Sequence, residues 1–467
     1  MSWLQNQLHH NPNGLYIEFG SQQCSYAEID KMVQLYAKSL LRENIQSQDR
    51  ILIYIPSGID LIEIIHACFE IGAVAVPIPL NLTEIERNVI IETIQPNLII
   101  TNWRYHLEIS SYSIPVVPIE ELPNSSRGCS SAKNNYIQKE DDIAAIILTS
   151  GTTGIPKAVQ LTYGNFETSC ANWNGFLQFN KSIDQFLCCL PLHHIGGLAV
   201  LIRALIYGFS VNLITQFNAG IILKAIQSHP VSIISLVPTM LKRILEFEGG
   251  LGALKSLRWI LLGGGPSPEF LLDTCIKEKL NIVKVYGMTE TCSGTVGLKL
   301  LDEPQNKLYA GRPLPGAKIW TENEELNISG PMVMKGYVSE EDSGGIHNSH
   351  DLGWVDDGDL IFLDIRRKDL IISGGENINP IEVEEALINI KGITDAAVIG
   401  IEDEEWGQKV TAFIVQKKDI IETDMIYNKL KKYLSSYKIP KNIIEVPSIP
   451  RNELGKIEYN RLVEFQL

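Results

Sequence analysis

Short apolar runs rich in β-branched residues alternate with helical patterns as far as about residue 305. In the clearest unit, two such runs at residues 51–55 and 73–77 flank a helical pattern that ends near Gly72. This order predicts a βαβ unit with parallel strands. Similar runs follow at residues 97–101, 143–148, 210–214, 231–236, 259–262 and 282–285. Because these runs are apolar throughout, both of their faces must be covered, so we predict mostly parallel sheets flanked by helices.

The chain has 467 residues, more than a single hydrophobic core usually holds, so we expect at least two domains. After about residue 305, proline and glycine become frequent and alternating strands appear, which predicts a small antiparallel or barrel-like region. A helical pattern at 381–387 and an apolar strand at 396–399 then indicate a separate α+β unit. We predict an α/β multidomain protein with a large N-terminal domain (1–366) and a small α+β C-terminal domain (367–467).

Charge and cysteine content exclude several classes of partner and location. The 40 basic and 55 acidic residues give a formal net charge of −15 at pH 7, which disfavours non-specific binding to nucleic acids or anionic membranes. No basic segment precedes an apolar one at the N-terminus, and every long apolar stretch is interrupted, so we expect neither a secretory signal nor a transmembrane helix. The eight cysteines are dispersed without a Cys-x-x-Cys motif, which is typical of reduced thiols in the cytoplasm.

The strongest local motif is a loop of glycine and hydroxyl residues that follows an apolar strand. Residues 149–157 read Thr-Ser-Gly-Thr-Thr-Gly-Ile-Pro-Lys. Gly151 and Gly154 permit a tight turn with inward N–H groups, and Lys157 adds a positive charge, so the loop suits a polyphosphate. The hydroxyl donors are Thr149, Ser150, Thr152 and Thr153. The loop lacks the Gly-Lys-Ser/Thr of a Walker A motif, which excludes an ordinary P-loop ATPase, and taken alone it also fits a polar surface turn.

A second group of residues suits a nucleotide with its metal ion. The motif Tyr286-Gly287-Met288-Thr289-Glu290 is predicted to lie on a loop after a strand. Tyr286 can stack on a base, and Glu290 is an oxygen ligand of the kind that phosphate-bound Mg²⁺ takes. Gly264 and Gly265, in the preceding Gly-Gly-Gly-Pro turn, allow the backbone to approach a planar ligand. The simpler alternatives are a strand exit with a helix cap and a flexible turn.

Two further motifs carry single charged residues. Asp351, in His-Asp-Leu-Gly-Trp, can accept hydrogen bonds from both hydroxyls of a ribose, although an exposed turn also explains it. A charged stretch that includes Arg366 and Lys368 follows. Lys456 comes after a glycine near the C-terminus and, taken alone, is a solvated charge.

In this order and spacing, the motifs together resemble those of the adenylate-forming superfamily of acyl-CoA and aryl-CoA ligases, over nearly the whole chain. Within it, Leu-Pro-Leu-His-His-Ile-Gly-Gly-Leu at 190–198, together with Arg203 and residues 369–377, is most similar to the o-succinylbenzoate–CoA ligases of menaquinone biosynthesis. The resemblance implies a ligase that activates a small-molecule carboxylate with ATP and Mg²⁺, releases pyrophosphate and transfers the acyl-AMP to CoA. It also implies a small C-terminal domain that rotates on a hinge.

The resemblance assigns nucleotide contacts to matching residues. The resemblance implies that the 149–157 loop, together with Lys157, holds the β- and γ-phosphates. It also implies that Tyr286 lies against adenine and that Asp351 binds the ribose hydroxyls, with a further contact from Arg366. The resemblance also implies that Glu290 binds Mg²⁺ and that Thr149 is a second contact to the metal ion.

The remaining assignments concern the reaction and the acyl group. Lys456 bridges ATP and the attacking carboxylate, and Lys368 occupies the hinge position. His194 lies beside the acyl pocket, next to His193, where the superfamily commonly has an aromatic residue. Arg203 lies in an otherwise apolar helical stretch, where it either reaches solvent, pairs with a carboxylate of the protein, or recognises a second carboxylate of the substrate.

Other functions and one departure from the family pattern stay open at this point. The alternatives are another aryl- or fatty-acyl-CoA ligase, an acyl-AMP ligase that loads a carrier-protein thiol, and a catalytically impaired nucleotide-binding paralogue. His350 stands where the superfamily has glycine. Because histidine cannot adopt every glycine conformation, the backbone of the Asp351 loop is the point at which this chain is expected to differ.

Overall fold

The computed structural model describes residues 2–110, 112–124, 136–149, 156–265, 267–338, 340–363, 370–416, 422–450, 457 and 459–462. The α-helices are α1 (Trp3–His10), α2 (Tyr26–Arg42), α3 (Ile59–Ile71), α4 (Glu84–Ile94), α5 (His106–Ile109), α6 (Tyr163–Leu177), α7 (Ile195–Tyr207), α8 (Ala219–Ser228), α9 (Pro238–Glu246), α10 (Gly250–Lys255), α11 (Glu269–Lys277), α12 (Pro380–Ile388), α13 (Thr423–Leu430) and α14 (Tyr459–Leu462). The strands are β1 (Leu15–Phe19), β2 (Gln22–Ser25), β3 (Arg50–Tyr54), β4 (Val74–Pro77), β5 (Leu98–Thr101), β6 (Val116–Pro118), β7 (Ile143–Thr149), β8 (Lys157–Thr162), β9 (Gln185–Cys188), β10 (Ser210–Leu213), β11 (Ile233–Leu236), β12 (Trp259–Leu262), β13 (Ile282–Met288), β14 (Ser293–Lys299), β15 (Arg312–Pro313), β16 (Lys318–Glu322), β17 (Glu325–Ser329), β18 (Gly336–Tyr337), β19 (Ile346–Val355), β20 (Ile361–Leu363), β21 (Ile371–Ser373), β22 (Glu376–Ile378), β23 (Ile393–Asp403), β24 (Gly407–Gln416) and β25 (Asn442–Glu445).

The chain forms two compact units. The first comprises residues 1–80, 94–148 and 158–365, and the second comprises residues 81–93, 149–157 and 366–467. The second unit therefore includes two short segments from the stretch that the sequence analysis assigned to the N-terminal domain. The domain boundary at residue 366 and the hinge at Lys368 remain predictions.

The largest sheet of the first unit has nine strands in the order β15-β14-β13-β12-β11-β9-β10-β1-β2. Its central strands, from β13 to β1, are parallel neighbours, and β2, β14 and β15 pair antiparallel at the two edges. This confirms the predicted mostly parallel architecture. Because parallel strands share one direction, the loops after them lie along one edge of the sheet, where ligands bind in such folds.

The other sheets of the first unit are smaller. A seven-stranded sheet runs in the order β18-β8-β7-β4-β3-β5-β6, and its β3 and β4 are the parallel strands of the predicted βαβ unit. A continuous hydrophobic core contains residues of both large sheets and of helices α2, α3, α6 and α7. The glycine- and proline-rich region forms a four-stranded antiparallel sheet in the order β16-β17-β19-β20.

The second unit is built on a sheet in the order β22-β21-β24-β23, with β25 parallel to β24. Apolar residues of β23 and β24 pack with α12 and α13. A buried ionic cluster lies in this unit: the Lys438 ammonium is 2.7 Å from both Glu86 and Glu382, and the Ser435 hydroxyl donates to Glu86. Burial opposes ionisation of Glu86, but Lys438 and the hydrogen bonds outweigh it and hold the pKa of Glu86 below its ordinary value.

Two strongly apolar helices, α3 and α7, have 13 residues each and are almost entirely buried. Helices of this length are too short for the roughly 20 residues that span a bilayer. Within the described part of the chain, no helix combines the length and the apolar character that crossing a membrane requires.

Helix α3 carries a buried acid, Glu63, that should make stability depend on pH. Burial, followed by the neighbouring charge of Asp60, raises the pKa of Glu63 to about 8. Between pH 4.5 and pH 8 the unfolded chain releases this proton and the folded protein keeps it. The contribution of Glu63 to the free energy of unfolding should therefore be fully present below pH 4.5. It should be lost as the pH rises through 8, by at most about 1.4 kcal/mol per pH unit.

We expect Glu63→Gln to remove this part of the pH dependence, because the amide stays neutral. The measurement is the Tm of both proteins at pH 5, 6, 7 and 8, with Glu246→Gln on the surface as a control. Parallel Tm curves for wild type and Glu63→Gln would show that Glu63 is ionised in the folded protein.

Candidate active site

Predicted site residues follow several strands of the nine-stranded sheet at the edge where its parallel strands end. His193 and His194 come after β9, Gly264 and Gly265 after β12, and the Tyr286 motif lies at the end of β13. Gly264, in the turn after β12, has φ +76°. This backbone conformation costs glycine little but would strain most other residues. The topology therefore brings motifs that are nearly 100 residues apart in sequence to one edge of one sheet.

The Tyr286 motif is not on a loop, and this part of the sequence prediction is wrong. Strand β13 continues to Met288 because β14 pairs with it antiparallel, with Tyr286 opposite Val296, so the backbone stays extended. Gly287 is needed there, since a Cβ would lie 2.3 Å from the Ser293 carbonyl oxygen. The extension fixes the direction of the Tyr286 side chain more firmly than a loop would.

Tyr286 and Asp351, which the sequence analysis predicted as contacts to one nucleoside, lie together in the structure. The Tyr286 hydroxyl donates to Asp351 Oδ2 at 2.9 Å, although the two residues are 65 positions apart. Asp351 lies within β19 and not on a turn, and its N–H donates to Ser349 Oγ at 3.1 Å. An aromatic face and a carboxylate are thus held side by side.

The structure shows how His350 can occupy the position where the family pattern has glycine. Its φ is +56°, in the left-handed region that glycine adopts without strain. Two contacts support this conformation: the His350 N–H donates to Asn348 Oδ1 at 2.7 Å, and His350 Nδ1 lies 3.3 Å from Glu325 Oε2. The histidine therefore reproduces a glycine-like backbone, and Asp351 remains in the strand.

Glu290 lies in a short 3₁₀ helix, Thr289–Thr291, directly after β13. Its side chain is only 9% exposed, and Tyr337 donates its hydroxyl to Glu290 Oε1 at 2.8 Å. Among the described residues, no group of three or more His, Cys, Asp or Glu side chains could hold a metal ion. One oriented carboxylate fits Mg²⁺, because this ion keeps waters and substrate phosphates as most of its ligands.

Arg203 is a buried cation in α7. It is 4% exposed, its Nη2 donates to Ser293 Oγ at 2.7 Å, and its guanidinium lies 5.4 Å from the centre of the Trp173 ring. Burial lowers the pKa of Arg203, and among the described residues neither a carboxylate partner nor a hydrogen-bond acceptor for its Nε is found. The structure thus excludes, within that part of the chain, both solvent exposure and an internal ion pair, two of the alternatives left by the sequence.

The two histidines directly precede helix α7. His194 is the residue before the first turn, and its carbonyl accepts from the N–H groups of Gly197 and Leu198. The ring centres of His193 and His194 are 4.4 Å apart and the ring planes are tilted by 55°, at the start of the helix that carries Arg203.

Part of the predicted site cannot be placed. Thr149 ends β7 and Lys157 begins β8. Several predicted residues lie outside the described residues: Ser150, Gly151, Thr152, Thr153, Gly154, Arg366, Lys368 and Lys456.

Sequence reasoning missed residues that support the predicted ones. Tyr337 contacts Glu290, and Ser293 and Trp173 contact Arg203. Ser293 follows the Tyr286 motif by only a few residues, which was a usable signal. Nothing local in the sequence marks Tyr337 or Trp173, because their partners are distant along the chain.

Comparisons with known proteins agree with this arrangement. Residues 4–338 match the AMP-binding enzyme family, and residues 382–456 match the AMP-binding enzyme C-terminal domain. The 2-succinylbenzoate–CoA ligase of Bacillus mycoides is 33% identical, over 99% of this chain and 98% of that protein.

Structures of the o-succinylbenzoate CoA synthetase of Bacillus subtilis are also similar, each 31% identical and matched over 99% of this chain. A double mutant bound with the product analogue OSB-NCoA has a TM-score of 0.92 and is covered to 98%. The complex with the acyl-adenylate intermediate OSB-AMP has a TM-score of 0.74 and is covered to 97%. The complex with ATP and magnesium ion has a TM-score of 0.73 and is covered to 99%. The chain therefore belongs to the AMP-binding enzyme family, and its full-length relatives include 2-succinylbenzoate–CoA ligases.

Proposed function

We propose that the protein joins o-succinylbenzoate to CoA in two steps, with ATP as the activating substrate. The first step makes the acyl-adenylate and releases pyrophosphate, and the second makes the thioester and releases AMP. The observation that carries the choice of acyl substrate is the buried Arg203, which has no carboxylate partner among the described residues. The identity of 33% to a 2-succinylbenzoate–CoA ligase supports the same choice.

In the first step, a carboxylate oxygen of the substrate attacks the α-phosphorus of ATP. A new O–P bond forms, and the bond between the α-phosphorus and the pyrophosphate oxygen breaks. The attacking carboxylate is already ionised at pH 7, so no general base is needed, but two anions must be brought together. We assign Lys456 and Lys157, with the loop 149–154, to offset this repulsion and to stabilise the charge that develops on phosphate oxygens.

Glu290 and Thr149 are the residues that we assign to the metal ion. When bound to the phosphates of ATP, Mg²⁺ neutralises part of their charge and polarises the phosphoryl group that is attacked. The buried and hydrogen-bonded carboxylate of Glu290 supports this assignment, since its orientation is set before any ligand arrives.

The nucleoside is assigned to Tyr286 and Asp351. A carboxylate has about four acceptor positions, so Asp351 can accept from ribose hydroxyls while it accepts from Tyr286. Tyr286 presents its ring to adenine, and Gly264, Gly265 and Gly287 leave room for that base. Thr289 adds a hydroxyl beside the phosphates, and Arg366 is the expected second contact to the ribose.

Arg203 is assigned to the carboxylate of o-succinylbenzoate that does not react. The substrate has two carboxylates, so one can be activated while the other is recognised. A guanidinium suits this recognition because it offers a planar fork of donors to the two carboxylate oxygens. His193 and His194, at the start of the same helix, are assigned to the wall of the acyl pocket.

In the second step, the CoA thiolate attacks the acyl carbonyl of the adenylate. A C–S bond forms, the C–O bond to AMP breaks, and the thiol proton is released when the thiolate forms. We place the reaction in the cytoplasm, which the free thiols of the seven described cysteines support. The change of partner from ATP to CoA is the reason to expect a hinge, for which we propose Lys368.

The test is release of pyrophosphate with o-succinylbenzoate, benzoate and a medium-chain fatty acid, each with and without CoA. Of the three acids, we expect only o-succinylbenzoate to cause release of pyrophosphate. We expect a thioester, identified by its mass, only when CoA is also present. Activity with the fatty acid and none with o-succinylbenzoate would overturn the proposed substrate. If none of the three acids causes release of pyrophosphate, the proposal that the protein is a ligase for these acids is overturned.

A further inference from the structure

The hydroxyl of Tyr337 contacts the buried carboxylate of Glu290, and the mechanism above gives Tyr337 no role of its own. They are 47 residues apart, and the distance from the hydroxyl to Oε1 is 2.8 Å. Glu290 is 9% exposed. A carboxylate in such surroundings needs hydrogen-bond donors, and the donor also restricts its rotation.

The segment that carries Tyr337 is tied to Glu290 at a second point. The Met334 N–H donates to the Glu290 carbonyl oxygen at 2.7 Å. The segment 334–338 therefore contacts both the backbone and the side chain of Glu290, and a shift of one contact would shift the other.

The other side of this segment is fixed by β8, the strand that begins with Lys157. Strand β18 pairs antiparallel with β8, with Tyr337 opposite Val159, and the Val338 N–H donates to the Ala158 carbonyl at 2.9 Å. Gln160 Nε2 also donates to the Tyr337 carbonyl at 3.1 Å. The backbone of Tyr337 is thus held by the sheet, and only its side chain reaches Glu290.

The start of the segment is anchored by a helix. Asn165, in the first turn of α6, donates through Nδ2 to the carbonyls of Pro331 and Val333 at 2.8 and 2.7 Å. Asn165 is itself fixed, because it forms a capping box with Thr162. Tyr337 therefore belongs to a hydrogen-bonded frame made by the chain itself, and its hydroxyl is placed against Glu290.

We propose that Tyr337 is a positioning residue, which aims the Glu290 carboxylate at the metal ion carried by the phosphates of ATP. The proposal rests on the proposed function, in which Glu290 is the metal ligand. A carboxylate keeps further acceptor positions when it accepts one hydrogen bond, so the contact with Tyr337 is compatible with a metal ion. Partners that hydrogen-bond a metal ligand fix its orientation, and their loss weakens metal affinity or activity by about 10- to 100-fold.

The test is Tyr337→Phe, which removes one hydroxyl and keeps the ring. The probe is Mn²⁺, titrated by electron paramagnetic resonance into the enzyme with a non-hydrolysable ATP analogue. We expect the affinity for Mn²⁺ to fall by about tenfold, while the affinity for the analogue in EDTA changes less than twofold. Thioester formation from supplied acyl-adenylate and CoA should keep the wild-type rate.

Tyr136→Phe is the matched control. The Tyr136 hydroxyl donates to Asp142 at 2.9 Å, just before β7 begins, so this variant loses the same kind of bond away from Glu290. In a double-mutant cycle, Tyr337→Phe should have no further effect on Mn²⁺ affinity in a Glu290→Gln background.

Wild-type Mn²⁺ affinity in Tyr337→Phe, with or without a lower Tm, would overturn the proposal and identify the contact as purely structural. An equal loss in the Glu290→Gln background would overturn it as well. If the wild-type enzyme binds the analogue but shows no metal binding in its presence, the assignment of Glu290 fails instead, so the two failures are distinguishable.

Discussion

Replacing Lys456 with alanine should slow adenylation by about a hundredfold to a thousandfold, the usual effect of losing one electrostatic contact to a developing charge. The reason is that two anions, the carboxylate and ATP, must meet in this step. Thioester formation from supplied acyl-adenylate should survive, because that step contains no polyphosphate. The two half-reactions are therefore expected to respond differently to one substitution.

The measurement for Lys456→Ala is single-turnover kinetics of each half-reaction, with pyrophosphate and thioester as the two products. Lys432→Ala, at an exposed position in the same unit, is the control and should leave both rates unchanged. Equal loss of the two rates in Lys456→Ala would mean that the lysine is structural.

Replacing Arg203 with leucine should raise KM for o-succinylbenzoate by about ten- to a hundredfold, which corresponds to a charge-assisted hydrogen bond of about 1.5–3 kcal/mol. The guanidinium is buried, its contacts are a hydrogen bond to Ser293 and the Trp173 ring, and no carboxylate among the described residues neutralises its charge. A substrate carboxylate would neutralise it. Leucine fits the apolar surroundings of α7, so Tm should change little, and ATP affinity should not change.

Arg203→Lys separates charge from geometry in the same assay. Lysine keeps the charge but not the planar fork, so we expect KM to lie between those of wild type and Arg203→Leu. A large fall in Tm with an unchanged KM would make Arg203 a structural residue, and the second carboxylate would then be recognised elsewhere.

The parts of the fold that sequence predicted best are those with local signals. The run at 259–262 coincides with β12, and β3, β4, β5 and β7 agree within one or two residues, because an apolar strand between turns is visible in a short window. The end of β13 was missed, since its last residues are extended only because β14 pairs with them. Pairing with a later strand does not change the pattern of apolar and polar residues within β13, so the sequence of β13 does not show it.

The candidate site shows the same division between local and distant information. Asp351 and Glu290 were predicted as site residues because each lies in a motif of adjacent residues. Tyr337 was not predicted, because its contact with Glu290 joins residues 47 positions apart. For His350, sequence correctly identified a glycine-like position, but only the structure shows that Asn348 and Glu325 support a left-handed histidine.

The ionic cluster around Lys438 bears on any attempt to produce the C-terminal part by itself. An expression fragment that starts after residue 366 would contain Lys438 and Glu382 but not Glu86, which lies 352 residues upstream. Lys438 would keep Glu382 but lose its second carboxylate, and loss of a partner in a buried ion pair costs up to about 3–5 kcal/mol, a large part of the stability of a small domain. The isolated fragment should therefore be prone to unfolding and aggregation. A synthetic peptide of residues 81–93, supplied in trans, would restore the missing acid, so the two pieces are suited to complementation.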